Sequence, residues 1–419
     1  MTLRLLTLCL FAHFTLNAQD FVITKFGVAS DSTQLSTKTI QDVIDRAHEV
    51  GGGTVVIPKG VFLTGALFFK PKTNLRLEEG AVLKGSDNID DYPLIPSRME
   101  GRSILYYAAL INAYYVDNFS VAGPGKIDGN GLKYWKKFWS HRDSLKSLGK
   151  ESTNLEVHRP RLVFIWGCNN IKLQGVKLHN AGFWTTHLYQ CNNILIEGCD
   201  IRAPYRPVPA PSSDGIDLDV CKKVVIRNCY ISVHDDAICI KGGKGPDAHL
   251  LPQNGMIDDV LIENCTIGEA HATLTFGSEC VHGRNVTMRN CKINNNSPLL
   301  KFKMRPDTYQ VYENITVDNI TGKVGSIINM NPWKQFFNLD GSTAKPFGTV
   351  RNITLSNINV SCNKVGDIEG NPNDVVQNFK IISSDIKAEN PTLRNIYKDV
   401  TILNVTVNNK PLVLDKSKK

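Results

Sequence analysis

Two aspartates stand side by side in Val233-His234-Asp235-Asp236-Ala237-Ile238-Cys239-Ile240-Lys241, at the head of an otherwise apolar strand, and a third stands in Ser213-Asp214-Gly215-Ile216-Asp217. Ionised groups are costly to desolvate unless paired, so acids placed there need something that offsets the cost. If the two stretches occupy neighbouring repeats of a coiled chain, Asp214 lands beside Asp235 and Asp236. Three carboxyl groups in one patch compete for charge, and at least one is pushed to keep its proton towards neutral pH. Such a patch can deliver a proton and also receive one, the two halves of general acid and base catalysis. Taken singly the same residues are bland: Asp before Gly is a turn, an Asp pair is a cap or a calcium ligand, and Lys301-Phe302-Lys303 is a solvated strand face. Their phasing, one motif per repeat from 214 to 303, is what argues for a common site.

The scaffold that must position them is written in an internal repeat. Cys168-Asn169-Asn170-Ile171-Lys172-Leu173-Gln174-Gly175-Val176 is echoed at Cys191 to Cys199 and again from Cys221, Ile257, Gly283, Tyr312, Val350 and Tyr397. Each copy alternates aliphatic and polar residues and then bends at Asn or Gly, an inward-outward strand period closed by a turn. The spacing of the copies is too short and too irregular for strand-helix-strand units. It predicts an all-β, right-handed parallel β-helix in which equivalent residues stack. Cys168, Cys191 and Cys221 then form one internal column, and Cys199, Cys229, Cys265 and Cys291 another, as free buried thiols rather than disulfides or metal ligands. Ahead of the coils, Phe21 to Val28 reads as a strand. Ser36 to Val50 reads as a short N-terminal capping helix, its apolar stripe Ile40, Val43, Ile44, Ala47 and Val50 ending at Gly51 to Gly53. Lys133 to His158 and Tyr205 to Pro211 read as long loops. Asp217 and Asp219 are assigned to turn and strand-edge structure.

Residues 1–18 have the charged start, apolar core and small-residue end of an export leader, leaving 19–419 as a single catalytic domain, periplasmic or extracellular. No other apolar run is long enough to span a bilayer. The formal charge of +8 suits an acidic partner, and without a nucleic-acid-binding motif an acidic glycan is the better one. No cofactor or metal is expected, and the chain is expected to be a monomer.

The motifs together resemble the polygalacturonase family of inverting glycoside hydrolases, over nearly the whole length after residue 18. Ser212-Ser213-Asp214-Gly215-Ile216-Asp217 matches the family's Asn-Thr-Asp-Gly motif, Asp235-Asp236 its Asp-Asp, Ala270-His271-Ala272 its Gly-His-Gly, and Lys301-Phe302-Lys303 its Arg-Ile-Lys. The resemblance implies that Asp235 is the acid, that Asp214 and Asp236 hold and activate water, that His271 tunes the acid, and that Lys301 and Lys303 receive the carboxylate of a pectic uronate. The family arginine is replaced by Lys301, a point charge in place of a planar fork, and Arg305 is a second candidate for that grip. Long loops closing one end of a cleft favour exo-action. A rhamnogalacturonan hydrolase, a calcium-dependent β-helix pectate lyase and a non-catalytic glycan-binding solenoid are the alternatives. Alternation with Ile238 and Ile240 inward turns Asp236 inward and Asp235 outward, unless a turn at the strand start resets the parity.

Overall fold

The computed structural model describes residues 19–415, so the leader expected at 1–18 lies outside the described residues. From Gly53 onward the chain winds as a right-handed parallel β-helix, and one register row runs Asn169, Asn192, Lys222, Asp258, Arg284, Glu313, Arg351, Gln377 through successive coils. The repeat has a copy that the sequence reading passed over, 376–384, which pairs Val376 with Val350 and Phe379 with Ile353. Ser383 takes its bend position where other copies carry Asn or Gly, so the turn signal is missing.

The bends obey simple backbone sterics. Asn228, Asn264, Asn290, Asn319, Asn357 and Asn404 all have φ between 51° and 56°, the left-handed region that Asn tolerates better than most side chains. A second Asn column is laced side chain to side chain, with Asn193 donating to Asn170 at 2.6 Å and Asn352 to Asn314 at 3.0 Å. Inside the coil the two cysteine columns stack as expected, and all ten described cysteines are buried and free.

A solenoid end exposes unpaired strand groups that must be covered. Helix α1, Thr37–Glu49, does this by burying Ile40, Val43, Ile44 and Ala47, whereas Val50, expected on the same stripe, is the C-cap residue beyond the last turn and is exposed. Its Gln41 reads the edge directly, donating to the Phe68 carbonyl at 2.9 Å and accepting from the Phe68 amide at 2.8 Å. The strand expected over 21–28 is shorter, Asp20–Val22, and turns into a 3-10 helix at Ile23–Phe26.

The stretch read as a loop from Lys133 is instead largely helical, α2 spanning Leu132–Ser147. Lysines dilute its apolar stripe, yet Tyr134, Trp135 and Phe138 bury one face. The indole of Trp135 donates to the Ala181 carbonyl at 2.9 Å and that of Trp139 to Pro209 at 2.8 Å, fixing α2 against the coil wall. One sheet of the β-helix lies beneath it and carries Thr186–Tyr189, Ile216–Asp219, Ile238–Lys241, Leu274–Phe276 and Pro298–Met304 in order.

Candidate active site

On that sheet Ile216, Leu218, Ile238, Ile240, Leu274, Phe276, Leu300 and Phe302 point into the core, so Asp217, Asp219, Cys239, Lys241, Lys301 and Lys303 face outward. The register row Asp217, Cys239, Thr275, Lys301 runs along this outward face, and its last member, Lys301, lines a cavity. Asp214, Asp235 and Asp236 sit just ahead of the strands. The Gly215 amide donates to the Asp236 carbonyl at 3.0 Å, so Asp214 and Asp236 occupy neighbouring rungs, about 5 Å apart at strand spacing. Ala237 and Ile238 are consecutive core residues. That break in alternation resets the parity, and Asp236 reaches Lys303 Nζ at 2.7 Å instead of entering the coil.

The cavity, about 260 Å³, is lined by Asp214, Asp235, His271, Lys301 and Lys303. All six residues singled out from the sequence thus converge, five on its wall and Asp236 directly behind Lys303. His271 Nδ1 stands 3.4 Å from Asp235 Oδ1, and this contact raises the imidazole pKa. Burial pushes the Asp236 carboxyl up, but the ammonium groups of Lys303 and Lys301 outweigh it and hold the acid well below the usual carboxylate range. Burial, with the neighbouring Asp235 and Asp217 charges, drives Asp214 the other way, well above its ordinary value. Adjacent carboxyls are so pushed apart, one kept ionised and one ready to hold a proton.

Residues missed in the sequence complete the electrostatics. Lys241 lies 3.3 Å from Glu279, 3.4 Å from Asp217 and 3.6 Å from Asp214, over the Trp184 ring at 4.6 Å. Asp217 and Asp219 are accordingly not turn or edge acids: both are buried in a central strand, and Asp219 pairs with Arg98 at 3.0 Å. The signal was present, since Asp-x-Asp in one repeat registers with Cys-x-Lys in the next, but strand-edge and central positions look alike until pairing is known. Asp214, Asp217 and Cys239 converge closely enough to ligate a metal; the cation facing both carboxylates is the Lys241 ammonium. Arg305 does not reach the cavity. Its guanidinium is fully buried, bound to both Asp307 oxygens and to the Gln335 and Phe336 carbonyls, so it anchors the 333–347 loop rather than gripping a ligand.

Burial raises the Asp217 carboxyl from 3.8 to about 6, against the pull of Lys241. A carboxyl whose folded pKa lies above its unfolded value keeps its proton longer when folded, so its contribution is lost as pH rises between those values. The Asp217→Asn protein is therefore expected to gain stability relative to wild type as pH goes from about 4 to about 6, read as the difference in urea midpoints across that range. A constant difference would contradict the assignment.

A family model described as "Glycosyl hydrolases family 28" matches residues 50–410. The chain belongs to glycosyl hydrolases family 28. Among curated relatives, a "Probable polygalacturonase" of Vitis vinifera is 30% identical over 290 residues, covering 67% of this chain and 56% of that protein. The chain thus spans a little over half the length of this plant relative. The "Exo-poly-alpha-D-galacturonosidase" of Dickeya chrysanthemi is 25% identical, covering 92% of this chain and 70% of its own length. The solved exopolygalacturonase of Thermotoga maritima superposes with a TM-score of 0.76 at 22% identity, over 94% of this chain and 92% of that one, a likeness of fold.

Proposed function

We propose that this family-28 protein is an exo-acting galacturonosidase that removes galacturonate from the ends of pectic chains with inversion. The observation that carries the reading is the convergence of Asp214, Asp235 and Asp236 from two adjacent coils at a cavity whose far wall presents Lys301 and Lys303. In this reading Asp235, open to the cavity, hands its proton to the glycosidic oxygen. Asp236, kept ionised by Lys303, takes a proton from water held between it and Asp214 on the other face of the sugar. The His271 imidazolium then stabilises the Asp235 carboxylate left behind. Lys301 faces the uronate carboxylate, with Trp333 5.3 Å from its ammonium as a flank.

Exo-action is supported by the walls. Trp139 and Arg142 of α2, Glu100 of the hairpin Leu94–Tyr107, and Trp333, Gln335 and Phe336 of the 333–347 loop all border the cavity. Arg102 of the hairpin meets Asp340 of the loop at 2.8 Å, which ties these two walls to each other. We further propose that 19–419 is one catalytic domain, monomeric and exported to where pectic polymers occur.

Incubation with galacturonate oligosaccharides of defined length tests the reading. Release of single galacturonate units, first seen as the inverted anomer by proton NMR, is expected; internal fragments would refute exo-action, and ultraviolet-absorbing ends lost on chelation would establish a lyase. Lys301→Ala is expected to lower kcat/KM for uronate substrates by about a hundredfold through loss of a charged contact, while neutral galactosides change little. Equal loss on both would remove its role as carboxylate receiver.

A further inference from the structure

Beside the catalytic cavity lies a second groove of about 400 Å³ that nothing in the proposed hydrolysis uses. It is lined by Arg142, Lys146, Lys150 and Lys334 against a single acid, Glu151, and it shares Arg142, Gln335 and Phe336 with the cavity. The two spaces are thus neighbours, and Arg142 stands at their border, its guanidinium 5.4 Å over the Trp139 ring. All four cations are exposed.

Ordinary structural roles account for only part of this. Lys146 falls in the last turn of α2, where a cation complements the helix dipole. Arg142 and Lys146, however, are like charges four residues apart on one helix face, an arrangement that weakens a helix. Lys334 arrives from a different segment, the 333–347 loop, and adds to the same field. That loop is held in place by buried Arg305 through the Gln335 and Phe336 carbonyls, so Lys334 is presented at the groove by a fixed support. Cations gathered from two elements, at a net cost to the helix, describe a surface shaped for a repeating anion.

We propose that this groove is a binding site for the polyuronate chain beyond the sugar held in the catalytic cavity, with Lys146, Lys150 and Lys334 pairing with carboxylates of successive units. The inference rests on the galacturonosidase reading, and it assigns the course of the chain that reading leaves open. The groove tightens the enzyme on long substrates and leaves the shortest ones indifferent, because Lys146, Lys150 and Lys334 line the groove and not the catalytic cavity.

The test combines Lys146→Gln, Lys150→Gln and Lys334→Gln in one protein; all three side chains are solvent-exposed and lie outside the catalytic cavity, so folding should be kept. Expected is a fall in kcat/KM of about tenfold on hexagalacturonate, carried by KM, with digalacturonate unchanged within about twofold. In wild type the hexasaccharide KM should climb with added salt, and in the triple variant it should not. Equal effects on both lengths, or none on either, would overturn the groove. Hexagalacturonate binding is also measured by calorimetry in an Asp235→Asn background, with and without the three changes. If wild type hydrolyses no galacturonide, the functional reading fails on its own, while this binding comparison still decides the groove: about tenfold weaker binding on removing the lysines upholds it, and equal binding refutes it.

Discussion

Asp235→Asn is expected to reduce kcat on trigalacturonate by about a thousandfold or more, with KM kept within about threefold. The change preserves shape and removes only the acidic proton. Asp235 is the acid of the trio that stands partly open to the cavity, its side chain 30% exposed against 7% for Asp214 and 1% for Asp236. It is therefore the one a glycosidic oxygen can approach. Its Oδ1 also accepts from the Asp236 amide at 3.0 Å, which fixes the carboxyl against its own backbone. The loss should shrink on an aryl galacturonide with an acidic leaving group, since such a group departs without help from a proton donor. An unchanged kcat would sink the acid assignment. A large loss for Asp214→Asn with a small one for Asp235→Asn, each rescued by the acidic leaving group, would move the acid role to Asp214, the carboxyl that burial and its neighbours already bias towards the protonated form.

Lys241→Met is expected to lower unfolding free energy by about 3–5 kcal/mol and to abolish measurable turnover. Methionine fills the same apolar stem space, so packing against Trp184 survives and the charge alone is lost. Without the ammonium, Asp214, Asp217 and Glu279 share a buried floor with no cation between them. Burial already pushes the Glu279 carboxyl up, and Lys241 is foremost among the groups that pull it back down. Removing one partner of a buried ionic cluster leaves uncompensated charge, which costs more than a surface pair is worth. Adding Asp217→Asn should restore part of the stability but none of the activity, because Asp214 would still lack its counter-charge. Urea denaturation of the single and double variants reads both effects; a loss under about 1 kcal/mol for Lys241→Met would show that the cluster is held together without it.

The features legible in the sequence are local or periodic. Asn at the bends, aliphatic alternation and phased cysteines are repeated in every coil, so one reading is checked by its neighbours. The cap helix was legible because Ile40, Val43, Ile44 and Ala47 keep strict helical spacing. Helix α2 was not, because it occurs once and its buried face of Tyr134, Trp135 and Phe138 is short and interrupted by lysines. The direction of Arg305 is hidden for a related reason: proximity in sequence to Lys301 and Lys303 says nothing about direction, and beyond Met304 the guanidinium folds under the next loop.

The amino-acid order by itself determined the coil, its phase, and the six residues that meet at the cavity, because a stacked repeat converts spacing along the chain into adjacency across rungs. Only the tertiary structure decided how those residues are charged and what surrounds them. Which carboxyl stays ionised depends on Lys241 and Lys303 arriving from later coils, and the cavity's closure depends on α2, the hairpin and the 333–347 loop meeting over one face. Those are long-range Coulombic and packing relations between segments that share no period, and a linear pattern carries no record of them.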